Sequence, residues 1–408
     1  MFKFIKNRKS SELSKKKFFF TYGKIRLLII LVLSFSLLIW KLSGLTYHLA
    51  NSTEFNTYTK VIGLIPWWKS IINYNGPYYL LLHGLLRLFP NIYGLRLTSV
   101  IFGILIILLV YWVTSLWHGY KISLISTIAF ITNFAILNIA REGSVYMFQA
   151  LLLITLIALI VFLHKSTNKY NLVWLIIVMS LLLYIPGSFV LTLITIFLIR
   201  KQLITLLNET NLKTKLGLIF LSIIILIPLI YGLVINYSLK NLLYYFGYNL
   251  ALNHTAYKMF GLNVLKLPTI IFIHSYGIHS SILLGHLPYL AISETVMTIV
   301  GLYYYIKHFS DYRWHSVSVI FICGWLLFAL NSIKIYSFLP LIYLVIATGL
   351  AFLLKQWFDI FPHNHIARRV GIALMSIMII YTSFYTAHSY FIAWGNDPKV
   401  INQYTQKI

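Results

Sequence analysis

Uncharged stretches about as long as a lipid hydrocarbon core is thick recur along this chain. They constrain its fold more than any other feature. A helix needs roughly 20 consecutive apolar residues to cross a bilayer. Runs at Leu97–Trp117, Ile122–Ala140, Val145–Leu163, Leu216–Ile235, Ser316–Leu330, Ile335–Leu354 and Val370–Ala387 contain no charge, and Leu287–Ile306 contains only Glu294. With 60% hydrophobic and 10% charged residues, there is too little polar surface to coat a water-soluble particle; soluble domains carry roughly 45–50% and about 25%. Disorder, collagen and coiled coil are excluded by the same figures, and mean hydropathy is +0.83. The sequence predicts an all-α, multi-pass integral membrane protein.

The formal charge is +25, from 33 Lys+Arg against 8 Asp+Glu. In a soluble protein that balance suggests nucleic acid. Here the cations fall between apolar runs, so they read as topology signals and contacts to membrane lipids, with no nucleic-acid partner. Nine cations between Lys3 and Arg26 precede the stretch Leu27–Trp40, which ends on Trp40-Lys41 with no small-residue cleavage site. This predicts an uncleaved first span and a basic cytoplasmic N-terminus, residues 1–26, in the cell membrane. The stretch Leu172–Ile199 is interrupted by Pro186-Gly187. Two short helices joined by a turn would keep Lys165, Lys169, Arg200, Lys201, Lys213 and Lys215 on one side, as the positive-inside rule prefers. The count becomes eleven crossings, with the C-terminus external.

No fixed-period repeat or flexible linker divides the chain, so 1–408 is read as one domain. Two external segments, 43–96 and 236–286, are much longer than turns, and an external tail follows at 388–408. Within the first, Gly76–Leu88 is too short for a span and reads as an interfacial or re-entrant helix. Large segments on one face of a rigid bundle commonly carry function. The lone cysteine, Cys323, permits no intramolecular disulfide.

From Asn75 the run "NGPYYLLLHGLLRLFPNIYGLRLTSVIFGILIILLVYW", followed by "AREGSVYMFQALLLITLIALIVFL", resembles the core of the glycosyltransferase C superfamily. The likeness is to the branch of protein O-mannosyltransferases and the aminoarabinose transferase of lipid A. "LYIPG", "LGHLPYL" and "YSFLPLIYLVIATGLAFLL" follow in the same order. The resemblance implies a membrane glycosyltransferase that moves a sugar from a polyprenyl-phosphate donor to a glycan, lipid or protein acceptor on the external face, without a metal or other cofactor. The absence of a Walker or Rossmann glycine loop is compatible with a donor delivered through the membrane.

Only eight acids are available for carboxylate chemistry: Glu12, Glu54, Glu142, Glu209, Glu294, Asp311, Asp359 and Asp397. The resemblance puts the catalytic acid in the first external loop, where Glu54 stands alone, although the family's usual acid position would fall near His48–Leu49. Asn51 three residues before Glu54 also fits a helix cap closed by the acid. Arg141 and Glu142 lie in "AREGSVY". Arg141 is expected to bind the donor phosphate, with snorkelling or pairing to Glu142 as the alternative, and Glu142 to orient. Lys334 and Tyr336, in "NSIKIYSFLP", are assigned by resemblance to the same phosphate; a lysine at a helix end also serves as an interfacial anchor. Glu294 is expected two turns inside the eighth span. His274, His279 and His286 are candidates for acceptor contact, and His363 and His365 for a headgroup surface. A carrier or flippase for lipid-linked glycans, a glycan repeat-unit polymerase and an inactive relative are the competing functions.

Overall fold

The computed structural model describes residues 25–408 except 64–65, 166–169, 251–254, 275–283, 286 and 332; most of the basic N-terminal segment therefore lies outside the described residues, as do His279 and His286. Among the described residues the fold is helical without strands, save one isolated antiparallel bridge between Ala50 and Gln406. The helices are α1 (Ile25–Thr46), α2 (Ser52–Gly63), α3 (Gly76–Leu88), α4 (Ile92–His118), α5 (Tyr120–Thr132), α6 (Phe134–Arg141), α7 (Tyr146–Lys165), α8 (Tyr170–Leu182), α9 (Ser188–Leu198), α10 (Arg200–Asn208), α11 (Leu212–Ile235), α12 (Leu239–Phe246), α13 (Thr255–Phe272), α14 (Ile292–Lys307), α15 (Tyr312–Ala329), α16 (Leu339–Ile360) and α17 (His365–His388).

Among the described residues seven helical stretches are long and apolar enough to cross a membrane, or up to nine if the bent pairs α5–α6 (62°) and α9–α10 (70°) each form one span. The other two expected crossings correspond to α8, 13 residues, and α14, 16 residues, both short for a full span. The stretch 172–199 does divide into two helices at Pro186-Gly187. Proline ends the helical pattern, and Gly187 takes a left-handed conformation (φ 77°) while its N–H donates to the Tyr245 carbonyl at 3.0 Å. A short helix runs over Gly76–Leu88, as the sequence predicts.

Two boundaries differ from expectation, and both bear on the site. Helix α4 starts at Ile92, where the Asn91 side chain caps the N–H groups of Tyr93 and Gly94, so Arg96 lies inside the helix rather than before it. Helix α14 starts at Ile292, behind the non-helical residues that include Pro288. Glu294 therefore sits in the first turn, not two turns deep.

Burial separates centre from periphery. In α7, 83% of the apolar window is buried, against 17% in α11, whose Ile219, Phe220, Ile223, Ile227 and Ile230 face outward. Such a stripe is the surface a helix presents to lipid. Helices α14 and α16 meet through glycines: a Cβ at Gly301 would run into the Val345 carbonyl, and one at Gly349 into that of Met297. Close backbone approach through small residues is how membrane helices gain packing energy. Replacing Gly349 with Leu should lower thermal stability in detergent by about 1–3 kcal/mol or more through overpacking. Gly217→Leu, where a Cβ meets nothing within 4 Å, should leave the melting temperature unchanged.

Candidate functional site

The start of α2 is built by a reciprocal cap. Asn51 Oδ1 accepts the Glu54 N–H at 2.8 Å, and Glu54 Oε2 accepts the Asn51 N–H at 3.2 Å. The capping role foreseen for this pair is thus present, and it is only part of what Glu54 does. Oε1 also accepts from Arg96 Nε (2.7 Å) and from the Gly143 N–H (2.8 Å), and Oε2 accepts from Arg96 Nη2 (2.9 Å). Two bonds on each oxygen fill the four acceptor positions of a carboxylate. Arg96 also donates from Nη1 to the Leu42 carbonyl and from Nη2 to the Leu49 carbonyl. Both side chains are buried, at 0% and 2% exposure.

Gly143 explains why the 141–144 turn can reach Glu54. A side chain there would strike Leu95, so only glycine lets the turn close against α4 and offer its N–H. The same turn carries Glu142, whose Oε1 accepts from Asn51 Nδ2 at 3.0 Å. Its Oε2 is buried and has no partner among the described residues; the same holds for the Ser144 hydroxyl and Gln149 Oε1. Burial pushes the Glu142 carboxyl up to about 7; the nearby Glu54 charge adds to the rise, while the Asn51 bond and Arg96 oppose it. Tyrosines crowd this carboxyl. The rings of Tyr146 and Tyr336 are 5.2 Å apart, those of Tyr289 and Tyr336 6.3 Å, and all three phenols lie within the field of Glu142. Burial, then Glu54 and Glu142, raise the Tyr404 phenol.

Arg141 differs from expectation. Its guanidinium donates to the Leu37, Trp40 and Lys41 carbonyls at 2.7–2.8 Å, where the α-helical part of α1 ends and the chain turns into a final 3-10 turn, and lies 4.9 Å from the Phe391 ring centre. Orphan carbonyls at a helix C-terminus are strong acceptors for a cation, so α1 takes this arginine away from the carboxylates. Nor does it form an ion pair with Glu142. Glu54 differs as well: a base needs a free lone pair, and Glu54 has none. Tyr336 joins the Glu142 cluster. Lys334, two residues before it, is held below the usual lysine range by burial and by nearby Lys266 of α13. Sequence reasoning overlooked Arg96, Asn51 as a bridge, and Tyr404.

Glu294 forms a second buried group with Asn133, at the α5–α6 bend, and Tyr343. Beside it lies an open cavity of about 730 Å³, lined by Phe134, Phe272, Leu287, Tyr289, Met378 and Tyr385 among others. Tyr289 belongs to both the cavity and the Glu142 cluster, so the two adjoin. No known protein-family model and no curated protein matches this chain.

Proposed function

We propose that the protein is a membrane glycosyltransferase that moves a sugar from a polyprenyl-phosphate donor to an acceptor hydroxyl at the external face, with eleven crossings, a cytoplasmic N-terminus and an external C-terminus. The observation that carries it is Glu142: a buried carboxyl with one free oxygen, poised to ionise near neutrality and surrounded by hydroxyl-bearing side chains. It replaces Glu54 as the reactive acid, and Glu54 becomes the anchor that holds the Gly143 turn. In the reaction Glu142 Oε2 takes the acceptor's proton as the acceptor oxygen bonds to the sugar's anomeric carbon. The bond from that carbon to the phosphate oxygen breaks with inversion, and the polyprenyl phosphate leaves with the electron pair. Lys334, with Tyr336 beside it, is the group available to the departing phosphate. A position in the membrane next to an apolar cavity suits a donor with a hydrocarbon chain.

The test is transfer in membranes loaded with radiolabelled polyprenyl-phosphate sugars. The wild type should label an acceptor and Lys334→Ala should lower the rate about tenfold or more; wild-type membranes that label nothing across a panel of donor sugars would overturn the proposal. Because the ionised form of Glu142 is the base, the rate should rise with pH through about 7 and level off above it. The bend at Asn133 beside buried Glu294 favours one other reading, a carrier of lipid-linked glycans, since transporters place polar groups at broken helices. Movement of an intact lipid-linked glycan across proteoliposomes, with no bond made or broken, would establish that reading instead.

A further inference from the structure

Glu142 is only 5% exposed, so any acceptor must reach it through a part of the structure that opens. We infer that residues 397–408 form a lid over the Glu142 cluster, and that lifting it admits an acceptor hydroxyl from water rather than from the lipid. The inference rests on the transferase reading for what enters, but not for the lid itself.

Tyr404 is the lid's inner face. It is buried, its hydroxyl accepts from Asn51 Nδ2 at 3.4 Å, and its ring packs edge-on to Trp394 with centres 5.9 Å apart and under the Arg96 guanidinium. Asn51 is the residue that bridges Glu54 and Glu142, so Tyr404 closes on the carboxylates through Asn51. The outer face is polar: Lys399, Asn402, Thr405, Gln406 and Lys407 are exposed, a composition suited to water and not to hydrocarbon.

Val400 and Tyr404 anchor the segment in the core, and Ile408 packs against it. One backbone bridge fastens the segment to the loop before α2, through Ala50 N–H to Gln406 O (2.7 Å) and Gln406 N–H to Ala50 O (3.1 Å). The seam is imperfectly filled, with a cavity of about 20 Å³ between Leu45, Leu49, Val400 and Tyr404. The loop on the other side of the seam is strained. Lys41, Tyr47 and His48 all hold left-handed backbone conformations, at φ 50°, 52° and 62°, and non-glycine residues persist there only when their surroundings force them. Lifting the segment breaks the two bonds of the bridge and the Asn51–Tyr404 bond and withdraws Val400 and Tyr404 from the core.

An antiparallel pair that exchanges both hydrogen bonds brings its Cα atoms to about 5.5 Å, inside the range a disulfide spans. Ala50→Cys with Gln406→Cys, in a Cys323→Ala background, should therefore lock the lid on oxidation. Transfer should fall roughly tenfold or more and return on reduction; full activity in the oxidised form would overturn the inference. A second readout needs no transferase activity. Ser144, buried beside Glu142, is replaced with Cys in the Cys323→Ala background and exposed to a membrane-impermeant maleimide. Tyr404→Ala should speed labelling roughly tenfold and Tyr404→Phe, which keeps the ring, by less. An unchanged rate in Tyr404→Ala would sink the lid. Faster labelling in a protein that transfers no sugar would keep the lid and reject the transferase reading.

Discussion

Glu142→Gln should abolish sugar transfer while leaving the fold at least as stable as the wild type at neutral pH. The amide keeps an oxygen for the Asn51 bond but cannot take a proton, and loss of a positioned base costs about 10²–10⁴ in rate. The stability half follows from the sign of the titration. Burial raises the Glu142 carboxyl from an ordinary value of 4.5 to about 7. A group whose folded value is raised contributes stability that is full below the unfolded value and is lost as pH rises through the folded one. Wild-type protein should thus lose melting temperature between about pH 4.5 and about pH 7, and Glu142→Gln should remove that part of the slope. Rates by radiolabel transfer and melting by intrinsic fluorescence in detergent measure both. A Gln variant that melts far below the wild type would make Glu142 a structural residue, and retained transfer would exclude it as the base.

The same cluster marks the limit of what could be read along the chain. The seven long apolar helices were legible because lipid imposes a local, one-dimensional rule: charges must stop for roughly 20 residues. The Pro186-Gly187 break and the helix Gly76–Leu88 were legible for equally local reasons, since proline and glycine act on their own backbone. Which carboxylate keeps a free lone pair is not a local property. Glu54 is saturated by Arg96 and Gly143, 42 and 89 residues away, and Asn51 meets Tyr404 across 353. Arg96 could not be distinguished from an interfacial anchor, because a cation at the edge of an apolar run looks the same whether it snorkels or is buried. Arg141 was correctly seen as a cation at a turn, but the open carbonyls that claim it belong to α1, about 100 residues earlier.

Arg96→Met should be the most destabilising single substitution in the chain, at about 3–5 kcal/mol, because it leaves the Glu54 carboxylate buried without its counter-charge. Glu54→Leu should cost a similar amount by stranding the guanidinium. Neither loss measures what the pair is worth, since each includes the cost of an orphaned ion. The double variant Arg96→Met with Glu54→Leu should recover part of the stability, which a double-mutant cycle reads as a coupling of several kcal/mol. Recovery should stop short of the wild type. Arg96 also serves the Leu42 carbonyl, and Glu54 accepts the Gly143 and Asn51 N–H groups, so apolar replacements leave three buried backbone groups without partners, each costing about 1–3 kcal/mol, while the Leu49 carbonyl keeps the Thr46 hydroxyl. Those groups join α1, α2 and α4 to the turn that carries Glu142. The double variant should therefore fold yet transfer sugar poorly, and raising salt should not change the coupling, because water and ions do not reach the pair. Single variants that melt like the wild type would mean that the turn is held by packing alone, and Glu54 would lose its place as the anchor of the site.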